Sequence, residues 1–257
     1  MTNNSTVERR SYILKLIEED GQVDVNSLSK KFEVSEVTIR KDLRYFEQKN
    51  MLMRSRGGAF KQSVIDVDLS VYERRKQNIN LKQKIGTVAA ALINTGETIL
   101  LDSGTTIMEL VKNISKQNEI TVITNAIDIA YRLTEFPRIK VIVPGGILRR
   151  NSLSLVGEQA ADTLRNFYCD KCFIGADGID IERGLLTTNV EEAHLMRINI
   201  RNAKKVIALV DSSKFQPKGI MTVASLDDVD MIITDRGIPD EKRKQLNALN
   251  IEVLIVD

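Results

Sequence analysis

Histidine and cysteine are scarce in this chain of 257 residues, which has one His and two Cys. A structural zinc site needs four ligands and a disulfide framework needs several cysteine pairs, so neither is expected. Cys169 and Cys172 form a Cys-x-x-Cys pair that leads into strand-like sequence instead of opening a helix, which argues against a redox pair. We interpret both as structural thiols, place His194 at the surface, and expect neither a metal nor a cofactor.

Long apolar runs and a strong excess of charge are also missing. No segment reaches the roughly 20 apolar residues of a membrane helix, and no N-terminal stretch has the apolar centre of a signal peptide, so a cytoplasmic protein is the default expectation. The formal net charge is only +2. Nucleic-acid binding would therefore have to come from a local cluster of basic residues.

One basic segment has the pattern of a helix that lies on DNA. Ser35 is a good N-cap residue, and Ile39, Leu43 and Phe46 form one apolar stripe at helical spacing. The residues off that stripe point away from the core, where they can reach base edges or phosphates. The alternative is an ordinary amphipathic surface helix. The residues predicted to contact DNA are Ser35, Val37, Thr38, Arg40, Lys41, Arg44, Arg54 and Arg56.

The surrounding sequence makes this helix the third of a set. Residues 6–20 and 25–32 have helical apolar spacing and residues 33–34 form a tight turn, so a helix-turn-helix spans about residues 22–41. Residues 51–59 alternate apolar and basic side chains and end in glycines, which suggests a β-wing. We therefore predict a winged helix-turn-helix DNA-binding domain over residues 1–60.

This N-terminal segment resembles the DNA-binding domain of the DeoR family of bacterial transcriptional repressors. The resemblance implies that the domain binds an operator. Glu33 departs from the family, whose members often have glycine in the turn; a positive φ there would cost about 1–2 kcal/mol. The resemblance rests on Arg9-Arg10, residues 25–32, Val34-Ser35 with residues 38–43, and residues 56–59.

From residue 97 onward, short apolar strands alternate with helical stretches, which is typical of an α/β domain with a parallel sheet covered on both faces. Ligands of such sheets bind beyond the carboxyl ends of the strands. We interpret residues 61–80 as a linker and residues 81–257 as the larger domain. The predicted strands are 98–101, 120–124, 140–143, 172–176, 206–210, 231–234 and 252–256, and the predicted helices between them are 107–112, 126–133, 159–166, 191–202 and 240–249.

The loop after the first of these strands, Asp102-Ser103-Gly104-Thr105-Thr106, has the composition of a phosphate cradle. Glycine permits close approach of the backbone, the hydroxyls donate, and a helix N-terminus favours an anion. A plain capped strand-to-helix turn is the alternative, and the loop is not a Walker loop. Other strand ends carry Asn125, Gly145-Gly146, residues 175–178 and residues 211–214, a set that suits a polyhydroxylated, phosphorylated ligand.

These loops resemble the C-terminal effector domain of the DeoR family, which shares its fold with ribose-5-phosphate isomerase and glucosamine-6-phosphate deaminase and senses sugar phosphates. Met196 stands where many relatives have lysine, so we leave it out of the site. Details at residues 148–151, 181–184 and 230–239 look most like the N-acetylgalactosamine-type branch. The resemblance implies phosphate binding by Asp102, Ser103, Gly104, Thr105 and Thr106, and sugar binding by Asn125, Gly145, Gly146, Asp177, Glu192 and Lys214.

The two resemblances together favour a homo-oligomeric transcriptional repressor of sugar-catabolism genes, a dimer or tetramer, that a phosphorylated sugar releases from its DNA operator. An amino-sugar phosphate is the ligand that the branch likeness suggests. An activator of the same design remains open. The rival from another class is a phosphosugar isomerase or deaminase, with Asp177 and Glu192 as acid and base. We expect no enzyme, and assign no catalytic residue.

Overall fold

The computed structural model describes residues 6–20, 22–47, 49, 51–54, 57–61, 69–216 and 221–257. The chain divides into two compact units, residues 1–66 and residues 67–257. Each unit has a hydrophobic core of its own.

The small unit is a winged helix-turn-helix. Its three strands form an antiparallel sheet in the order β1-β3-β2, in which β2 and β3 make the predicted wing and β1 is an addition that the sequence pattern did not reveal. The apolar stripe is buried as expected, because Ile39, Leu43 and Phe46 lie in the core. The elements are α1 Thr6–Asp20, β1 Gln22–Asp24, α2 Val25–Phe32, α3 Glu36–Glu47, β2 Leu52–Arg54 and β3 Gly58–Lys61.

Local hydrogen bonds set the turn between α2 and α3. The Asp24 carboxylate accepts from the Ser27 N–H and caps α2. Glu33 ends α2 with φ of 51°, so the turn does require the left-handed conformation that glycine adopts more easily. The Ser35 hydroxyl accepts from the Thr38 N–H at 3.3 Å, as its predicted N-cap role requires.

A buried ion-pair cluster joins α1 to α3. The Asp42 carboxylate accepts from Arg9 Nε at 2.6 Å and from Arg10 Nε at 2.7 Å, and the Asp42 and Arg9 side chains are almost fully buried. The Arg10 guanidinium also lies 3.8 Å from the centre of the Tyr45 ring. Asp42 is therefore a structural residue of α3, on the side of the helix opposite to its exposed basic residues.

The larger unit is built on a parallel sheet of seven strands in the order β15-β14-β12-β9-β4-β5-β6. These are the seven predicted strands. Two small antiparallel sheets, β7-β8 and β10-β11-β13, were not predicted. The elements are α4 Val71–Lys76, α5 Ile79–Ala90, β4 Thr98–Leu101, α6 Thr105–Lys112, β5 Ile120–Thr124, α7 Ile127–Leu133, β6 Ile139–Ile142, β7 Ile147–Arg149, β8 Ser154–Val156, α8 Glu158–Arg165, β9 Cys169–Ile174, β10 Gly178–Asp180, β11 Gly184–Thr187, α9 Val190–Arg201, β12 Ala203–Leu209, β13 Met221–Ala224, β14 Met231–Asp235, α10 Asp240–Ala248 and β15 Glu252–Val256. Two short 3₁₀ helices span Ser212–Phe215 and Leu226–Asp228.

Alternation along the strands divides the core into two layers. Ile99 and Leu101 of β4 pack with α5, α6 and α7, whereas Leu100 packs with α8 and α9 on the other face. Burial on both faces explains why the central strands read as continuous apolar runs. On the first face α5 and α6 come so close that a Cβ at Gly86 would lie 2.5 Å from the backbone of Glu109.

The structure corrects one expectation about the chain's organisation. Residues 61–80 were interpreted as a linker, but their second half contains the helix α4, whose first residue, Val71, is buried in the larger unit. A capping box starts that helix, because the Ser70 hydroxyl accepts from the Glu73 N–H while the Glu73 carboxylate accepts from the Ser70 N–H. The sequence did not predict α4 because the helix is short and mostly charged, so it has no apolar periodicity.

Candidate functional site

The outer surface of α3 presents the predicted DNA-binding residues. Lys41 and Arg44 are exposed and make no ion pair within the part of the chain that the structure describes. Val37 is 61% exposed, and an apolar side chain there can contact a thymine methyl group. Arg40 is exposed and pairs with Glu36 one turn earlier at 2.8 Å, a solvated contact worth less than about 1 kcal/mol.

The remaining predicted DNA contacts lie at the start of α3 and in the wing. The Ser35 and Thr38 hydroxyls are 3.0 Å apart and hydrogen-bond to each other, so each has capacity left for a phosphate oxygen. Arg54 on β2 pairs with Glu47 at 3.4 Å. The prediction for Arg56 lies outside the described residues. One side of α3 therefore offers basic and hydroxyl groups, while its other side is buried.

A cleft opens at the carboxyl ends of β4 and β9, where the strand order of the large sheet reverses. The chain runs from β4 outward to β5 and β6, and then returns to the other side of β4 with β9. Ligands of open α/β sheets bind at such a switch point. The cleft measures about 750 Å³ including the part open to solvent. Its lining consists of Arg74, Gln77, Asn78, Lys82, Asp102, Ser103, Gly104, Thr105, Thr106, Ile107, Gly175, Ala176, Asp177, Thr187, Glu192, Met196, Leu209, Val210, Asp211, Ser213 and Lys214.

The predicted phosphate loop forms one end of this cleft. The helix α6 begins at Thr105 with no side-chain cap on its first N–H groups, so these donors are available to a ligand. The hydroxyls of Ser103, Thr105 and Thr106 have no hydrogen-bond partner within the described protein. Lys214 also lines the cleft, and its ammonium makes no ion pair among the described residues. Uncapped N–H groups, free hydroxyls and an unpaired cation are the kinds of group that bind anions, and this cleft contains all three.

Several carboxylates line the same cleft, including those of Asp102, Asp177 and Glu192. Burial, together with the negative charge of Glu192, raises the pKa of Asp102 to about 7. Asp177 accepts hydrogen bonds from the Thr187 hydroxyl at 3.0 Å and from the Thr188 N–H at 3.0 Å. Glu192 accepts from Arg149 Nη1 at 3.1 Å. The network holds Asp177 and Glu192 in place, and their remaining lone pairs suit the hydroxyl groups of a sugar.

Four polar residues of the cleft come from residues 61–80, which were interpreted as a linker, or from just after them: Arg74, Gln77, Asn78 and Lys82. Arg74 on α4 pairs with Asp177 at 3.6 Å. Asn78, between α4 and α5, donates to Asp211 at 3.0 Å. Lys82 on α5 is buried, and that burial lowers the pKa of its ammonium to about 8. A Lys-rich polar segment gives no local signal that it faces a ligand, so the sequence did not predict any of the four.

Three residues predicted to bind sugar do not line the cleft. Asn125 is buried and its amide donates to the Leu155 carbonyl at 3.3 Å, which ties it to β8. Gly146 has φ of 132°, and a Cβ there would lie 2.6 Å from the Val156 carbonyl oxygen. Gly145 is likewise outside the lining. Met196, which the prediction left out, does line the cleft.

The remaining sequence interpretations concern metal and redox chemistry. Cys169 and Cys172 are free, buried thiols of β9, and burial raises the pKa of Cys169 to about 11, so it is an inert thiol. His194 is exposed on α9. Within the described ranges, no group of three or more His, Cys, Asp or Glu side chains is placed to hold a metal ion. No helix in those ranges is long and apolar enough to cross a membrane.

Comparison with known proteins assigns both units. A model of the DeoR-like helix-turn-helix domain matches residues 9–63, and a model of the DeoR C-terminal sensor domain matches residues 77–236. The chain belongs to the DeoR family. It therefore combines the DNA-binding and sensor domains of a DeoR-type transcriptional regulator, as the sequence resemblance implied.

Relatives match along nearly their whole length. A candidate aga operon transcriptional repressor of Escherichia coli O157:H7 is 36% identical, covering 98% of this chain and 94% of its own. The transcriptional regulator GolR of Listeria innocua is 31% identical, covering 97% of this chain and 98% of its own. Because these DeoR-family relatives are regulators, the isomerase or deaminase alternative has no support. Ribose 5-phosphate isomerase A of Methanocaldococcus jannaschii shows a distant likeness, with a TM-score of 0.41 and 19% identity over 54% of this chain and 55% of the isomerase.

Proposed function

We propose that this DeoR-family protein is a repressor of sugar-catabolism genes and that a phosphorylated sugar bound in the cleft releases it from its operator. The observation that carries the proposal is that one cleft contains the uncapped N-terminus of α6, the free hydroxyls of Ser103, Thr105 and Thr106, and the unpaired Lys214. A phosphate group can use all of these donors at once, whereas a neutral sugar cannot.

The other polar groups of the cleft support a sugar as the body of the ligand. Asp177 and Glu192 are held by neighbouring hydrogen bonds, which leaves acceptors at fixed positions for ring hydroxyls or for an amino group. We propose an amino-sugar phosphate as the first class to test. A relative named for the aga operon and described as a repressor supports both the regulatory sign and this choice.

We further propose that the protein acts in the cytoplasm as a homo-oligomer. A single α3 reads only a short stretch of one major groove, and helix-turn-helix proteins gain affinity and specificity by reading two half-sites about 34–36 Å apart. Oligomer size is measured by light scattering on the DNA-bound protein. A monomer at saturation would contradict this part of the proposal.

Isothermal titration calorimetry on the full chain tests the ligand class. The panel contains D-galactosamine 6-phosphate, D-glucosamine 6-phosphate and fructose 1-phosphate, each paired with its unphosphorylated sugar. We expect one phosphorylated compound to bind at least tenfold more tightly than its unphosphorylated partner. Thr105→Val, which removes one hydroxyl of the phosphate loop, is expected to weaken that binding by about tenfold, because a hydrogen bond to a charged group contributes roughly 1.5–3 kcal/mol.

The matched control is Thr163→Val. Thr163 lies on α8, and its hydroxyl donates to the Gln159 carbonyl outside the cleft. It should leave the affinity unchanged. Equal affinity for phosphorylated and unphosphorylated sugars, or an equal loss in both variants, would contradict the assignment of the phosphate loop.

A further inference from the structure

Several contacts of α4 depend on residues of the ligand cleft. We propose that α4 is a ligand-responsive strap, which an anion in the cleft holds more firmly against the larger unit. The inference rests on the proposed function and adds to it the element that moves when the ligand binds. α4 is the first described helix after the segment that joins the two units. If α4 packs more firmly or more loosely on the larger unit, the point at which the chain is first attached to that unit changes.

The N-terminal half of α4 is fixed without any help from the cleft. Val71 is buried, and its N–H donates to the Asn151 carbonyl at 2.6 Å. Arg75 pairs with Asp128 at the start of α7 at 2.6 Å. Arg75 does not line the cleft, so these contacts set a basal attachment that a ligand does not touch.

The C-terminal end of α4, by contrast, is held by cleft residues. Lys82 Nζ donates to the carbonyls of Arg74 at 2.6 Å and of Gln77 at 2.7 Å, so its ammonium caps the last turn of the helix. Asn78 turns the chain into α5 with φ of 51°, and its amide donates to Asp211. The joint between α4 and α5 is therefore part of the cleft lining.

Two of these cleft residues have unused capacity. The ion pair from Arg74 to Asp177 is long, at 3.6 Å, and the buried Arg74 Nε has no hydrogen-bond partner among the described residues. Lys82 uses two of the three donors of its ammonium in its hydrogen bonds to the carbonyls of Arg74 and Gln77. Arg74 lines the same cleft as the phosphate loop.

An anion at the N-terminus of α6 can therefore accept from Arg74 and Lys82 as well as from α6 itself. Such bonds would join α4 to α6, against which it already packs. A ligand changes a conformational equilibrium only by the difference in its affinity for the two states. Contacts between the anion and α4 that exist only when α4 is docked supply that difference in affinity. By the same coupling free energy, docking of α4 raises the affinity for the ligand.

The test is hydrogen–deuterium exchange of the full chain, read on peptides that cover α4, with inorganic phosphate and with D-galactosamine 6-phosphate as probes. Calorimetry under the same conditions reports whether each probe binds. We expect a bound probe to slow exchange in α4 by about fivefold or more. Arg74→Gln should lose most of this slowing.

Arg75→Gln is the matched control, because it also removes one ion pair from α4 but leaves the cleft intact. It should raise basal exchange while keeping the slowing caused by the probe. A probe that binds without changing α4 exchange, or an equal loss of slowing in both variants, overturns the strap and leaves the proposed function standing. If neither probe binds, the proposed amino-sugar phosphate class is overturned, and the strap with it.

Discussion

Charged residues are used in opposite ways in the two units. On α3 the charges proposed for function lie on the exposed side, and Lys41 and Arg44 have no ion partner within the described residues. In the cleft of the larger unit, Asp102 and Lys82 are buried and their pKa values are shifted by burial. A surface that meets a polyanion needs only exposed basic groups, whereas a small polar ligand needs groups that are desolvated and held in place.

Asp42 in the small unit is a buried charged residue, unlike the exposed charges of α3. Removing it should produce the largest effect on stability. Asp42→Ala leaves the buried Arg9 and the partly buried Arg10 without their carboxylate. Loss of one partner from a buried ion pair costs about 3–5 kcal/mol. Urea titration, monitored by hydrogen exchange in α1 and α3, measures this cost in the free energy of unfolding. Glu36→Ala, which removes the exposed partner of Arg40, is the control and should cost less than about 1 kcal/mol. Equal costs would mean that burial does not distinguish the two pairs.

Asp102 offers a test in the larger unit that depends on pH. Its pKa is about 7 in the native protein and 3.8 as a free side chain, so between these values the native state keeps a proton that the unfolded chain has lost. The contribution of Asp102 to stability should therefore fall as pH rises from about 4 to about 7 and stay level above that. Asp102→Asn removes this fall, which amounts to a few kcal/mol at about 1.4 kcal/mol per pKa unit. Urea titrations at pH 5 and pH 8 measure it. A stability difference between the variant and the parent that is the same at both values would contradict the shifted pKa.

Affinity for DNA should depend on single exposed side chains of α3. Arg40→Ala is expected to weaken operator binding by about 1–3 kcal/mol if Arg40 leaves Glu36 and contacts a base with two hydrogen bonds. Arg44→Ala should lower the salt dependence, because each phosphate contact contributes to its slope. Lys84→Ala, an exposed change of equal charge on α5, is the control for net charge. Anisotropy titrations at two salt concentrations separate these effects, and a loss shared by all three variants would remove α3 from the interface.

The smallest expected effect concerns the turn before α3. Glu33→Gly relieves a φ of 51° and should stabilise the small unit by up to about 1 kcal/mol, since the strain outweighs the added backbone entropy of glycine. Asn250→Gly in the larger unit is the control, because asparagine tolerates its φ of 60°. Thermal unfolding of both variants compares them. Destabilisation by Glu33→Gly would show that the glutamate side chain has a role of its own.

The sequence predicted best the features that short-range patterns determine. The stripe of Ile39, Leu43 and Phe46 depends on one helical period, and the bounds of β4, β5 and β15 agree with the prediction because each is a short apolar run between polar turns. The loop of residues 102–106 lines the cleft, and its place after a strand could be predicted because it is a local feature; its binding of phosphate stays a prediction.

Long-range geometry explains what the sequence did not predict. The Asn78 amide and its partner Asp211 are 133 residues apart, and no local pattern connects them. Asn125 ends a strand, as many ligand residues do, but the hairpin of β7 and β8 covers it. Gly146 is required by the close approach of β8, and a ligand is not needed to explain it. To separate the strand-end residues that line the cleft from those that do not, one needs the order of the strands in the sheet. The alternation of strands and helices along the sequence does not give that order.

Fluorescence anisotropy with DNA from upstream of the protein's own gene tests the central claim most directly. The protein is titrated onto the DNA at two salt concentrations, with and without each phosphorylated sugar and its unphosphorylated partner. We predict tight, salt-sensitive binding that one phosphorylated sugar releases by tenfold or more, which requires a preference of about 1.4 kcal/mol for the state that binds DNA poorly. Binding that no phosphorylated sugar changes, or release by the unphosphorylated sugar alone, would contradict the account.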